Sequence, residues 1–271
     1  MNDTECTSFL QWALPQLELL WPGYRKVRRQ VCKRLRKRMS ELGIADFSAY
    51  RLQLAADPAE WKVLDDCCHI TISRFFRDRG VFEAIRRRVL PDIAARAQRE
   101  QRSARIWSAG CASGEEPYTL KILWDLEVAK AGIPLTIVAT DIDEAMLARA
   151  REACFKPTSL HELPRDLIGQ AFERKGPLYC VKPVHREGIE LLYQDLRSQM
   201  PSPFFDLILC RYVAFTYFTP ALQKRILDRF VERLAPNGYL AIGTHERLPE
   251  TAQLMPLPDA SQIFTKLSAA E

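Results

Sequence analysis

Val27, Val31, Leu35, Met39 and Leu42 recur at spacings of four and three, one face of a helix, and Gly43 follows as a stop signal. The segments "DFSAYRLQL" and "DPAEWKVLDDCC" open on cap-type aspartates and continue in helical style. Residues up to about 92 are therefore predicted to be helices. The stretch 96–104, "RAQREQRSA", is polar and without apolar periodicity. It is predicted to link an N-terminal helical domain, 1–95, to a second domain, 96–271.

Beyond that point short apolar runs alternate with helical stripes. "RIWSA", "LTIVATD", "IELLYQDL", "FFDLILCR" and "YLAIGTH" read as strands. Helices are predicted from the turn after "RIWSA" to about Lys130, over "EAMLARAREACF", and along Leu222, Ile226, Leu227, Phe230 and Leu234, ending at Asn237-Gly238. This alternation predicts an α/β fold, a mostly parallel, doubly wound sheet. Residues 156–188 interrupt it and are expected to form a small insertion over one edge of the sheet.

With 271 residues, 47% hydrophobic and 27% charged, the chain has ordinary globular composition. No apolar run approaches the ~18–20 residues of a membrane span. The start, "MNDTECTSFLQW", lacks the pattern of a secretory leader, so a cytoplasmic location without membrane insertion is expected. Eight cysteines show neither C-x-x-C pairs nor zinc spacing, which predicts reduced thiols and no metal. Charge does change the picture. "YRKVRRQVCKRLRKRM", 24–39, carries nine Lys/Arg and no acid, and set against the total of +5 this leaves −4 for the rest of the chain.

The chemistry centres on "WSAGCASGEEPYTL", 107–120. Gly110 and Gly114 permit a tight turn close to a ligand at the end of a strand. A dinucleotide would require G-x-G-x-x-G and a bare helix N-terminus for its pyrophosphate. Here Glu115 and Glu116 stand where phosphates would lie, so the ligand should carry positive charge and no phosphate. S-adenosylmethionine fits, with its ammonium, sulfonium and ribose. Glu115, beside the glycines, is the expected contact, whereas Glu116 also reads as a complement to the helix dipole. Asp141, ending "VATD", is placed for ribose hydroxyls, and Asp143 for the next helix cap. Asp195 is placed to meet the adenine amino group, or is a solvated loop residue.

These stretches together resemble the CheR-type chemotaxis-receptor methyltransferases. "ISRFFRDRGVF", "RIWSAGCASGEEPYTL", "ATDIDEAMLARARE", "FDLILCRYVAFTYF" and "RILDRFVERLAPNGYLAIGTHERL" carry the likeness from about residue 24 onward. It implies a helical N-terminal domain, a Rossmann-like class I methyltransferase sheet and an inserted β-subdomain at 156–188. It also implies S-adenosylmethionine contacts at Thr71, Ser73, Arg77, Gly110, Glu115, Asp141, Asp195, Leu196 and Tyr212. Thr71 and Tyr212 both stand where the family usually has asparagine. Arg77 suits the methionine carboxylate of the cofactor, or an ion pair with Asp78 or Glu83. Phe75 and Phe76 read as core.

The implied acceptor is a glutamate carboxylate on a protein. Its pKa of about 4.3 leaves it ionised at neutral pH, so the enzyme needs positioning rather than a general base. Arg211 and Tyr217 are the expected orienting residues, with a structural ion pair and core packing as their respective alternatives. His245 and Glu246 read as structural. The basic helix 24–39 is expected to dock an acidic protein acceptor, as in the family. Nucleic acid is not expected as a partner, because no Asn/Asp-Pro-Pro-aromatic motif is present and only Tyr24 interrupts the basic run as an aromatic. A small-molecule carboxyl acceptor, and a cofactor-binding regulator without catalysis, remain as alternatives.

Overall fold

The computed structural model describes residues 3–128 and 132–267. The chain divides into two compact units, one of residues 1–70 with 216–222, the other of residues 71–215 with 223–271.

The smaller unit is helical, as its periodicity predicts. Its main helices are Asp3–Ala13, Arg28–Glu41, Phe47–Ala56 and Glu60–Cys68. Asp46 caps the third by accepting the Ala49 N–H at 2.8 Å. Val31, Leu35 and Met39 bury one face of Arg28–Glu41, and Phe9 stacks on Phe47 with centroids 4.9 Å apart. Glu60 is buried because three donors satisfy it. Arg38 reaches both its oxygens, at 2.9 and 2.6 Å, and the Tyr50 hydroxyl donates at 2.7 Å.

The larger unit holds a seven-stranded sheet. Its strands are β1 (Ala104–Ala109), β2 (Leu135–Asp141), β6 (Ile189–Tyr193), β7 (Phe205–Leu209), β8 (Leu234–Ala241), β9 (Leu254–Leu257) and β10 (Ala260–Lys266). They run in the order β6-β2-β1-β7-β8-β10-β9. The first five positions pair in parallel and the last two strands add antiparallel. β1 and β7 are buried almost throughout, which is why they read as continuous apolar runs. Trp107 within β1 is fully buried, and its Nε1 donates to Thr140 Oγ1 at 3.0 Å. The insertion is a three-stranded sheet of β3 (Cys154–Phe155), β5 (Leu178–Val181) and β4 (Phe172–Lys175).

Four sequence expectations are corrected. Residues 96–104 are no linker, since Leu90–Arg99 is a helix and β1 begins at Ala104. The compact units divide at Ile70/Thr71 instead. That helix buries Ile93, Ala94, Arg96 and Ala97, and Arg96 donates to the carbonyls of Pro236 and Asn237. A face of alanines and a buried arginine carries little apolar signal. Second, "EAMLARAREACF" stops being helical at Glu152, where Ala153 turns left-handed and Cys154 starts β3. Third, Asn237-Gly238 lies within the span of β8 rather than before it. Fourth, not all thiols are reduced. Cys6–Cys32 joins two helices and Cys154–Cys180 joins β3 to β5 as a directly opposed pair. The predicted helix end near Lys130 lies outside the described residues.

Cys67, Cys68, Cys111 and Cys210 are the free thiols. Thiol titration of denatured, unreduced protein should count four groups, and eight after reduction.

Candidate functional site

The order of the sheet reverses between β1 and β7, and ligands of such sheets bind beyond the carboxyl ends of the strands at that point. β1 ends there in the glycine turn. Gly110 adopts φ 82°, and a Cβ on it would come within 2.4 Å of the Val213 side chain, so only glycine fits. The turn is stitched to β2. The N–H groups of Gly110 and Cys111 both donate to the Thr140 carbonyl, at 2.8 and 3.0 Å. The Ala112 N–H donates to Asp141 Oδ2 at 2.7 Å, and Asp141 Oδ1 accepts the Asp143 N–H at 2.9 Å. Asp143 caps the helix Glu144–Glu152, as expected.

The adjacent glutamates have separate tasks. Glu115 is buried at the turn, where the Ser113 hydroxyl donates to it at 2.8 Å. A carboxylate has about four acceptor positions, so this single bond leaves it capacity for a cationic ligand. Glu116 accepts from Ser108 Oγ and from Arg211 Nη1, each at 2.7 Å. It is structural.

Arg211 is held by that contact and others. Its Nη2 donates to Asp78 Oδ2 at 3.0 Å and to the Arg77 carbonyl at 2.5 Å, and its side chain is 4% exposed. It pairs with two carboxylates, the structural pairing that the sequence left open beside an orienting role. Burial works against that charge, but Glu116 and Asp78 outweigh it and leave the guanidinium pKa raised. Burial likewise works against the Asp78 carboxylate, yet the Tyr212 hydroxyl and Arg211 hold it below its usual range.

Asp78 is the residue that sequence reasoning missed. Its Oδ2 accepts from Arg211, from the Tyr212 hydroxyl at 2.6 Å and from the Thr244 N–H at 3.3 Å. The signal was present in "FFRDRG", but it read only as a partner for the neighbouring Arg77. Arg77 instead lies 4.0 Å over the Tyr212 ring and donates to the Ile72 carbonyl. Phe76, Asp78 and Tyr212 all have positive φ, at 58°, 62° and 58°. Each such residue costs on the order of 1–3 kcal/mol and persists only where its surroundings impose it. Glu246 supplies part of that constraint, accepting the N–H groups of Tyr212 and Gly243 at 2.8 and 2.7 Å.

The other expected residues are placed as follows. Thr71 and Ser73 lie part-exposed in the irregular stretch that opens the larger unit. Asp195 follows β6 and pairs with Arg197, whose Nε lies 3.0 Å from both its oxygens; Leu196 is buried beside it. Tyr217 belongs to the smaller unit, where its ring lies 5.0 Å from that of Tyr24 and its carbonyl accepts the Leu20 N–H. Phe75 and Phe76 are core. Burial raises the pKa of the Cys111 and Cys210 thiols well above the ordinary value. A cavity of about 660 Å³ opens along Thr244–Thr251 and the β9–β10 hairpin; His245 and Glu246 line it, but none of the expected cofactor or acceptor contacts does. Among the described residues no three His, Cys, Asp or Glu side chains converge as a metal site, and no helix is long and apolar enough to cross a membrane.

Residues 71–263 match the family described as CheR methyltransferase, SAM binding domain. Chemotaxis protein methyltransferase 1 of Pseudomonas aeruginosa is 34% identical over 229 residues, covering 80% of this chain and 81% of that protein. The chemotaxis protein methyltransferase of Listeria monocytogenes is 34% identical over 179 residues, 66% of each chain. An uncharacterized 104.1 kDa protein of Rhodobacter capsulatus is 32% identical over 220 residues, 80% of this chain but 23% of that protein. The chain thus spans under a quarter of that relative and 66% of the Listeria protein. Among solved structures, the N-methyltransferase NodS of Bradyrhizobium japonicum in complex with S-adenosyl-L-homocysteine is 16% identical over 66% of each chain, with a TM-score of 0.35.

A doubly wound sheet closed by an antiparallel hairpin, with a glycine turn after β1, has the Rossmann-like class I methyltransferase architecture. The chain belongs to the CheR methyltransferase family, and its cofactor is S-adenosylmethionine. The turn fits that cofactor, since it offers close backbone approach and carboxylates in place of a phosphate cradle.

Asp141→Ala should weaken S-adenosylhomocysteine binding by about 1.5–3 kcal/mol, measured by calorimetry on folded protein. Asp78 is depressed in the folded state, so its contribution is present above the unfolded pKa of about 3.9 and is lost as pH falls through the folded value. Asp78→Asn should lower stability at neutral pH and flatten the acid limb, read from urea unfolding across acidic pH.

Proposed function

We propose that this chain transfers a methyl group to a carboxylate, that of a glutamate side chain on an acidic protein, as a CheR-type methyltransferase. The observation that carries the reading is the Glu115-mouthed glycine turn braced by Asp141, in a chain of this family. The bound cofactor supplies an electrophilic methyl on a sulfonium. Gly110, Glu115 and Asp141 would hold it, with Thr71, Ser73, Asp195, Leu196 and Tyr212 as further contacts and Arg77 at its carboxylate. The acceptor carboxylate is already ionised, so no residue must remove a proton. Tyr217 is the residue proposed to orient the acceptor, through its hydroxyl.

The acceptor side of the proposal rests on charge. Lys26, Arg29 and Lys33 are exposed on the basic segment. Other members of that run are occupied internally, Arg36 by Asp3 and Arg38 by Glu60. An exposed cationic row attracts an acidic surface over screening distances of about 8 Å at physiological salt.

Labelled S-adenosylmethionine in cell extract should give a protein-borne, base-labile label, as a methyl ester does. A label on small molecules alone, or a base-stable label, would refute the acceptor assignment. Reversing Lys26, Arg29 and Lys33 to glutamate should raise the KM for the labelled protein about tenfold at low salt, less at high salt, and leave cofactor affinity unchanged.

A further inference from the structure

We propose that Tyr212 is a positioning residue that aims the Arg77 guanidinium, through a ring held against Gly243 and beneath that guanidinium. The inference rests on the cofactor-site reading above. The two acids the sequence offered to Arg77 are taken elsewhere, Asp78 by Arg211 and Glu83 by Arg86 and Arg87. What Arg77 has instead is an aromatic face, 4.0 Å from its Cζ, and the Ile72 carbonyl at 2.6 Å. A guanidinium stacked on a ring keeps its remaining N–H donors in its own plane, the geometry that meets a carboxylate edge-on.

The ring is held at its backbone, at its hydroxyl and along one edge. Its backbone sits at φ 58° and its N–H is held by Glu246. Its hydroxyl donates to Asp78 at 2.6 Å, so the tip is clamped to the same carboxylate that pairs with Arg211. Gly243 makes room for it, since a Cβ there would come within 2.7 Å of Tyr212 Cζ and 2.9 Å of its Cε1. Asparagine, the residue family resemblance places here, tolerates positive φ better than tyrosine but has no ring to offer. A bulky residue held in a backbone conformation that disfavours it, clamped at both ends, indicates that the ring itself is used.

Calorimetry with S-adenosylhomocysteine tests this on the whole chain. Tyr212→Asn should weaken binding about fivefold to tenfold, and Tyr212→Phe, which keeps the ring, by less than about threefold. Gly243→Ala, whose Cβ would come within 2.7 Å of the ring and 2.9 Å of Glu246 Oε2, should reproduce the Tyr212→Asn loss. The Arg77→Ala, Tyr212→Asn double variant should lose less than the sum of the two single losses, because the ring aims that arginine. Wild-type affinity in Tyr212→Asn and Gly243→Ala, or additive losses in the double variant, would overturn the positioning role while the cofactor site stands. A wild type that does not bind S-adenosylhomocysteine would overturn both.

Discussion

The site is organised around a charge that has no business being buried alone. Arg211 follows β7 with 4% of its side chain exposed, and two carboxylates from distant segments keep it charged there. Losing one partner of such a pair costs about 3–5 kcal/mol, because the other charge stays buried. Glu116 lies in the first turn of the helix after the glycine turn, and Asp78 in the stretch before the helix Arg79–Ala84. One guanidinium therefore ties the end of β7 to both segments. Asp78 passes the constraint on to the Tyr212 ring and the Thr244 backbone. The left-handed residues at 78 and 212 are tolerated because this network over-determines them.

The parts of the fold that could be read from the sequence are those whose signal is local. β2 matches "LTIVATD" residue for residue, because a strand buried on both faces must be an unbroken Val/Ile/Leu-type run. The Asp46 and Asp143 caps were legible for the same reason, each lying within three residues of the N–H it satisfies. The β9–β10 hairpin was not, since Pro256 and Pro258 make "LMPLPDASQIF" read as loop although it ends the sheet. The two disulfides were equally hidden. Each spans 26 positions, and spacing alone does not give connectivity.

The candidate site divides along the same line. The glycines, Glu115 and Asp141 lie next to the strand ends that present them, so their type and spacing point locally to the chemistry proposed for them. The assignment of Arg211 depended on partners 95 and 133 positions away, which no local pattern weighs. An arginine after an apolar strand reads the same whether its charge faces a substrate or two buried acids. Tertiary placement is what brings Glu116 and Asp78 to it.

The environments of these side chains fit the proposed catalysis by placement. Sites that move protons hold groups whose pKa values are drawn toward neutrality. Here the shifts run the other way. Asp78 is held down, Arg211 is held up, and burial raises the Tyr212 hydroxyl and the Cys111 and Cys210 thiols away from neutral pH. Each of these groups is thereby locked in one protonation state through the physiological range. The methyl transfer to a carboxylate proposed above asks for nothing else. It needs charges that stay fixed, and a rigid frame that keeps the reacting atoms in line.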